Sequence, residues 1–203
     1  MNNYANYLYI AIRAAIDAGN AIMDIYTDPE ADFGVERKAD NSPLTRADKK
    51  AHEIISGALS VTPFPLLSEE GKEIPFAERS TWDTLWIVDP LDGTNNYSQG
   101  LPVFCVSIGL QYRGETLLGV VYAPYLNELY TAIRGKGAFL NNAPIHVSDK
   151  TELDRSVLAT GFPYDKGIHP VNNIDNLSRI LPHLRGIRRM GSAAYDLCGV
   201  AAG

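Results

Sequence analysis

Residues 86–110 read WIVDPLDGTNNYSQGLPVFCVSIGL, and their pattern decides what kind of sheet this chain builds. Trp86-Ile87-Val88 is an unbroken apolar run, the mark of a strand buried in a sheet. It ends in two aspartates, Asp89 and Asp92, followed directly by Pro90 and Gly93 respectively. VFCVSIGL then resumes strand character. Residues three apart in a tight turn have Cα atoms within about 7 Å. Asp89 and Asp92 therefore converge on one point, or bracket two cations roughly 3.5–4 Å apart. Oxygen-only donors suit a hard ion such as Mg2+, and the Leu91 carbonyl offers a third oxygen. Pro90 stiffens the turn, while Gly93 lets the backbone approach a ligand. A helix starting at Thr94 would aim free N–H groups at the same spot and favour an anion. An Asp-Gly pair is also a common surface turn; the apolar strand behind it and the acids found elsewhere favour a functional one.

Upstream, PFPLLSEEG (63–71) is a second short apolar run. As a strand beside residues 86–88 it brings Glu69 and Glu70 to the sheet edge that carries Asp89. SPLTRADKKAHEIISGAL (42–59) predicts a helix with Thr45 as N-cap, Asp48 closing a capping box, and Ile54, Ile55 and Leu59 facing inward. Asp48 has a second possible role, as hydrogen-bond partner of the Thr94 hydroxyl. Leu8, Ile12, Ala15, Gly19, Ile22 and Tyr26 mark an amphipathic helix over 4–26, broken by Pro29 and Gly34.

Downstream, TLLGVVYAP (116–124), ELYTAIRG (128–135) and GAFLNN (137–142) are β-rich runs, with hairpin connections at Arg113-Gly114 and Leu126-Asn127. The fold class expected is α/β, an α+β layered sandwich with N-terminal helices on a large, mostly antiparallel sheet. SVLATGF, VNNIDNLSRIL, GIRRM and SAAYDLCGVAA then read strand, helix, strand, helix, a smaller α/β part that looks incomplete. The polar stretch SDKTELD divides the chain near residue 150, into parts 1–150 and 151–203.

Composition narrows the function classes. The chain has 203 residues, 45% hydrophobic and 21% charged, with a net charge of -6. Such an acidic chain is a poor nucleic-acid binder. No apolar stretch approaches a membrane span, and MNNYANYLYI lacks a basic segment ahead of an apolar one, so a cytoplasmic location is expected. Cys105 and Cys198 sit in apolar surroundings and are expected to be reduced core residues. His52, His146, His169 and His183 are scattered, giving a zinc site little support.

LTRADKKAHEII (44–55), LLSEEG (66–71), the 86–110 stretch, LGVVYAP (118–124), GKGAFLN (135–141), ATGFPYD (159–165) and RRMGSAAYDLCGVAAG (188–203) together resemble the inositol monophosphatase family of metal-dependent, lithium-sensitive phosphatases. The resemblance implies that Glu69, Asp89 and the Leu91 carbonyl bind a first Mg2+, and that Asp89 and Asp92 share a second. It implies that Gly93 and Thr94 offer N–H groups to phosphate, and that Thr94 and Asp48, with Glu69, activate the attacking water. Gly191, Ser192 and Ala193, with Asp92, would contact the substrate. Glu70 is either an outer metal ligand or a support behind the ligands, and Lys38 either counterbalances charge or is simply exposed. A small phosphate ester, and possible homodimers, are the partners implied.

Two departures matter. KADNSPLTRADKKAH and PLLSEEG are similar to the 3'(2'),5'-bisphosphate nucleotidases, yet Asn95-Asn96-Tyr97 stands where those carry Lys-Glu-Phe, so an inositol monophosphatase is favoured. Fructose-1,6-bisphosphatase activity is a weaker third reading. The family also continues beyond the GSAA helix to a Trp-Asp element that completes the second metal site. The resemblance thus implies weak or absent hydrolysis by the 203 residues alone, and leaves a non-catalytic metal- or phosphate-binding module as an alternative.

Overall fold

The computed structural model describes residues 4–30, 32–37, 43–162 and 173–203. Lys38, His169 and the end of the ATGFPYD motif lie outside these. Helix α1 (Tyr4–Tyr26) buries Ala11, Ala14, Ala15, Ala18 and Ile22 completely. Spacings of three and four place them on one stripe, and the alanines let the helix lie close to the sheet. A β-carbon on Gly19 would come within 2.6 Å of the Tyr122 ring, so that contact admits only glycine. After a short ladder of β1 (Glu36–Arg37) with β2 (Pro43–Leu44), helix α2 (Arg46–Leu59) starts at Thr45 with the expected reciprocal capping box to Asp48. Its buried face is Ala47, Ala51, Ile55 and Leu59.

Both helices cover one face of a seven-stranded sheet ordered β3 (Leu66–Ser68), β4 (Thr84–Asp92), β5 (Cys105–Tyr112), β6 (Glu115–Ala123), β7 (Glu128–Ile133), β8 (Gly137–Leu140) and β9 (Ala143–Ile145). A short helix α3 (Phe76–Arg79) lies on the crossover from β3 to β4, and that pair is parallel; every other neighbouring pair in the sheet is antiparallel. Trp86, Val88, Ile108, Leu110, Leu118 and Val120 face the helices. Fully burying such a side chain contributes about 1.5–3 kcal/mol. Trp86 also satisfies its indole N–H, which donates to Thr62 Oγ1 at 2.9 Å. The tight turns match their residues: Arg113 (φ 48°) and Gly114 (φ 82°) both have positive φ, as a two-residue hairpin loop requires.

The rest is smaller. Strand β10 (Val157–Ala159) pairs in parallel with β11 (Gly186–Arg188), with α5 (Asn173–Ile180) between them in sequence, and α6 (Ala193–Ala202) follows. Both cysteines are free: Cys105 is buried and Cys198 half-buried. Among the described residues no helix is long and apolar enough to cross a membrane.

Candidate active site

The two aspartates do not sit on a separate turn. Strand β4 runs on through both, and its register to β5 goes from Asp89↔Ser107 to Asp92↔Cys105. Three steps on one strand face two on the other, so β4 carries one extra residue, a bulge. Pro90, with no N–H to give a ladder, belongs at such a place. The Leu91 N–H donates to Asp89 Oδ1 at 3.1 Å, and the Leu91 side chain is buried, which pins the bulge. Next, Gly93 adopts φ 97°, and a β-carbon there would lie 2.9 Å from the Val103 carbonyl. Only glycine allows the chain to turn there into α4 (Thr94–Ser98).

The parallel pairing of β3 with β4 then brings a third acid to the bulge. Ser68 is in register with Val88, and the Glu69 N–H donates to the Val88 carbonyl at 3.0 Å. The Glu69 and Asp89 carboxyl groups lie close enough to act directly on each other. Burial first, then the negative charges of Glu69 and Asp92, push the Asp89 carboxyl far above its usual range. Among the described residues, no three His, Cys, Asp or Glu side chains are placed to hold a metal ion by themselves. The donor set available is instead two carboxylates plus a main-chain carbonyl, with Asp92 alongside. The mutual repulsion of such buried carboxyl groups is what a bound divalent cation relieves, and oxygen donors suit Mg2+. The residues therefore fit a hard cation.

Asp48 is buried behind this cluster. Its Oδ2 accepts from the Thr45 N–H at 2.7 Å and from the Thr45 hydroxyl. Its Oδ1 lies 3.1 Å from Thr94 Oγ1, which is also 2.9 Å from the Leu91 carbonyl. Burial raises the Asp48 pKa to about 6, against the lowering effect of the Thr45 and Thr94 hydrogen bonds and with a small push from Glu70. Hence Asp48, Thr94, Glu69, Glu70, Asp89 and Asp92 all meet through direct bonds or charge interactions at one end of β3 and β4.

Gly191, Ser192 and Ala193 come from the far end of the chain to the same place. Asp92 Oδ2 accepts from the Ser192 hydroxyl at 2.8 Å and from the Ala194 N–H at 2.6 Å. That caps α6, leaving Ser192 buried while Gly191 and Ala193 stay exposed. The Cys105 thiol is 3.4 Å from Ser192 Oγ, and burial pushes its pKa up.

Two residues escaped the sequence reading. His52, one turn beyond Asp48 on α2, has Nδ1 2.8 Å from the hydroxyl of Ser68, the residue before Glu69. The spacing of four from Asp48 was the available signal. Asn96 reaches across to Met190, a contact that local sequence does not announce. A separate cavity of about 620 Å3, with Arg155, Arg188, Met190 and Val200 in its wall, contains none of the clustered acids.

A family model described as the inositol monophosphatase family matches residues 3–203. The chain is 40% identical to "Nus factor SuhB" of Escherichia coli over 198 residues, 97% of this chain and 73% of that protein. The solved structure of inositol monophosphatase from Anabaena is 36% identical with a TM-score of 0.82, covering 100% of this chain and 72% of that one. CysQ from Bacteroides thetaiotaomicron, whose structure is described as a bacterial member of the same family, is 35% identical with a TM-score of 0.76, over 98% and 77%.

Proposed function

This chain belongs to the inositol monophosphatase family, and from that premise we propose that it is a Mg2+-dependent phosphomonoesterase for a small phosphorylated polyol such as inositol 1-phosphate. The observation that carries the reading is the meeting of Glu69, Asp89 and Asp92 at one end of β3 and β4, beside the Thr94–Asp48 hydrogen bond. In this reading Glu69, Asp89 and the Leu91 carbonyl would hold one Mg2+, and Asp89 with Asp92 would hold a second. Bound there, Mg2+ supplies charge stabilisation for the phosphoryl group and a water acidic enough to attack near neutral pH.

The remaining work falls to the chain itself. Thr94 Oγ1 orients the attacking water, taking its proton while passing its own to Asp48 Oδ1. An acid with a pKa near 6 is a better acceptor than an ordinary aspartate, yet is still ionised at neutral pH. Glu69 steadies the same water. The Gly93 and Thr94 N–H groups hold phosphate oxygens, and Gly191, Ser192 and Ala193, with Asp92, meet the polyol hydroxyls.

Replacing Asp89 by Asn tests this. Mg2+-dependent release of phosphate from inositol 1-phosphate should fall more than tenfold, on the scale typical of losing an electrostatic group, with the metal-free melting temperature not lowered. A variant keeping more than a tenth of parental turnover rejects the metal-bridging role. Running adenosine 3',5'-bisphosphate in parallel decides the substrate class: faster cleavage of that ester makes the chain a nucleotidase, the reading that the KADNSPLTRADKKAH and PLLSEEG stretches favour. A second reading, of another class, draws on the name of the 40% identical relatives, which is a factor and not a reaction. Binding of Mg2+ by calorimetry with no phosphate release from either ester would establish that non-catalytic role.

A further inference from the structure

We propose that Asn96 is a positioning residue that sets substrate selectivity, by fixing the loop at Gly191 against the phosphate-binding end of β4. The proposal rests on the polyol-phosphatase reading above and adds to it the device that spaces its two halves.

Asn96 lies two residues beyond Thr94 on α4, and its side chain is buried, 6% exposed. Its amide nitrogen donates to the Val103 carbonyl at 2.7 Å and to the Met190 carbonyl at 2.6 Å. Both amide hydrogens are thereby used, each on a main-chain oxygen of a different segment. The first ties α4 to the chain entering β5; the second reaches 94 residues along to the segment before α6. Gly191 is shaped around the same amide: it adopts φ 82°, and a β-carbon there would sit 2.7 Å from Asn96 Oδ1. Directly after it, Ser192 and Ala194 bond to Asp92. The stretch 190–194 is thus held at both ends by 92–96, the stretch that also carries Gly93 and Thr94.

A phosphate ester spans that distance. Its phosphate sits at Gly93 and Thr94, and its hydroxyls meet Gly191 to Ala193. Loosening the amide clamp leaves the phosphate end intact and misplaces the polyol end. Only substrates that use the polyol contacts should register the change, and they should register it mainly in binding.

Asn96→Ala and Asn96→Gln, with the parent, are assayed on inositol 1-phosphate and on p-nitrophenyl phosphate, an ester without hydroxyl groups. Either variant should raise KM for inositol 1-phosphate about tenfold with kcat within about threefold, the pattern of lost uniform binding. KM for p-nitrophenyl phosphate should change less than twofold. Asn96→Gln keeps both amide hydrogens on a longer arm, so it carries the test where Asn96→Ala does not fold. Equal effects on the two esters, or none on either, overturn the proposal while leaving the phosphatase reading intact. Hydrolysis of neither ester by the parent overturns both together.

Discussion

Asp48 serves two different partners with its two oxygens, one closing the cap of α2 and the other holding Thr94. Its pKa near 6 gives this arrangement a pH signature. Below about pH 6 the carboxyl is already protonated and cannot take up the proton of Thr94, so kcat should fall with an acid limb near that value. A pH–rate profile with no limb between about pH 5 and 7 would remove Asp48 from the relay. Stability runs in the opposite direction. The folded pKa lies above the usual carboxylate value, so the linked stabilisation is present at low pH and is lost as pH rises through about 6. Asp48→Asn should accordingly lose turnover at pH 7.5 while the metal-free protein resists urea as well as the parent, or better. Thr94→Ala should lower kcat more than it raises KM, because the backbone N–H remains; a change confined to KM would make the hydroxyl a binding group. Half of this was readable in advance. The Thr45–Asp48 spacing announces a capping box, but the Asp48–Thr94 bond spans 46 residues, and periodicity carries no information about that. The sequence offers that bond only as an alternative to the cap, with nothing in the spacing to choose between them.

At the scale of elements, α2 grips both acid-bearing strands: Asp48 holds the end of β4 through Thr94, and His52 holds the end of β3 through Ser68. Groups that orient metal ligands from behind typically change affinity by about 10–100-fold when removed. His52→Ala and Ser68→Ala should each weaken Mn2+ binding by calorimetry roughly tenfold, and the double variant should do no worse than either. Additive losses would mean that the two act separately. His52→Asn, whose amide occupies the place of Nδ1, should recover most of the affinity. The helices themselves were legible, although the buried face of α1 is turned from the expected stripe: it keeps Ala15, Gly19 and Ile22 and adds Ala11, Ala14 and Ala18, while Leu8, Ile12 and Tyr26 are half-buried. The bulge was not. Pro90 ends an apolar run in a turn and in a bulged strand alike, and only the pairing of Asp92 with Cys105 tells them apart.

Across the whole molecule, the layer order followed from short alternating strands and two helical stripes, while the attachment of the last segment did not. It rests on bonds between residues 67 to 102 positions apart: Asp92 with Ser192 and Ala194, Asn96 with Met190, and Glu128 accepting from Tyr195 at 3.0 Å. No pattern of polar residues reveals such partners. Tyr195→Phe should leave the melting temperature within a few degrees, as loss of one hydrogen bond of about 1 kcal/mol implies. Yet amides in 193–202 should exchange faster with deuterium; unchanged exchange would show that Asp92 alone holds α6. The parallel pairing of β3 with β4 has a consequence in time. Strands β5 to β9 join through tight connections and can zip up locally, whereas Glu69 meets Asp89 only after the long crossover through α3 has closed. Contacts between distant parts of a chain form late. A cation held between those two acids therefore recognises the finished molecule and not the barrier that precedes it. In stopped-flow experiments, saturating Mg2+ should slow unfolding and leave the refolding rate unchanged; faster refolding would place the acidic pair in the transition state.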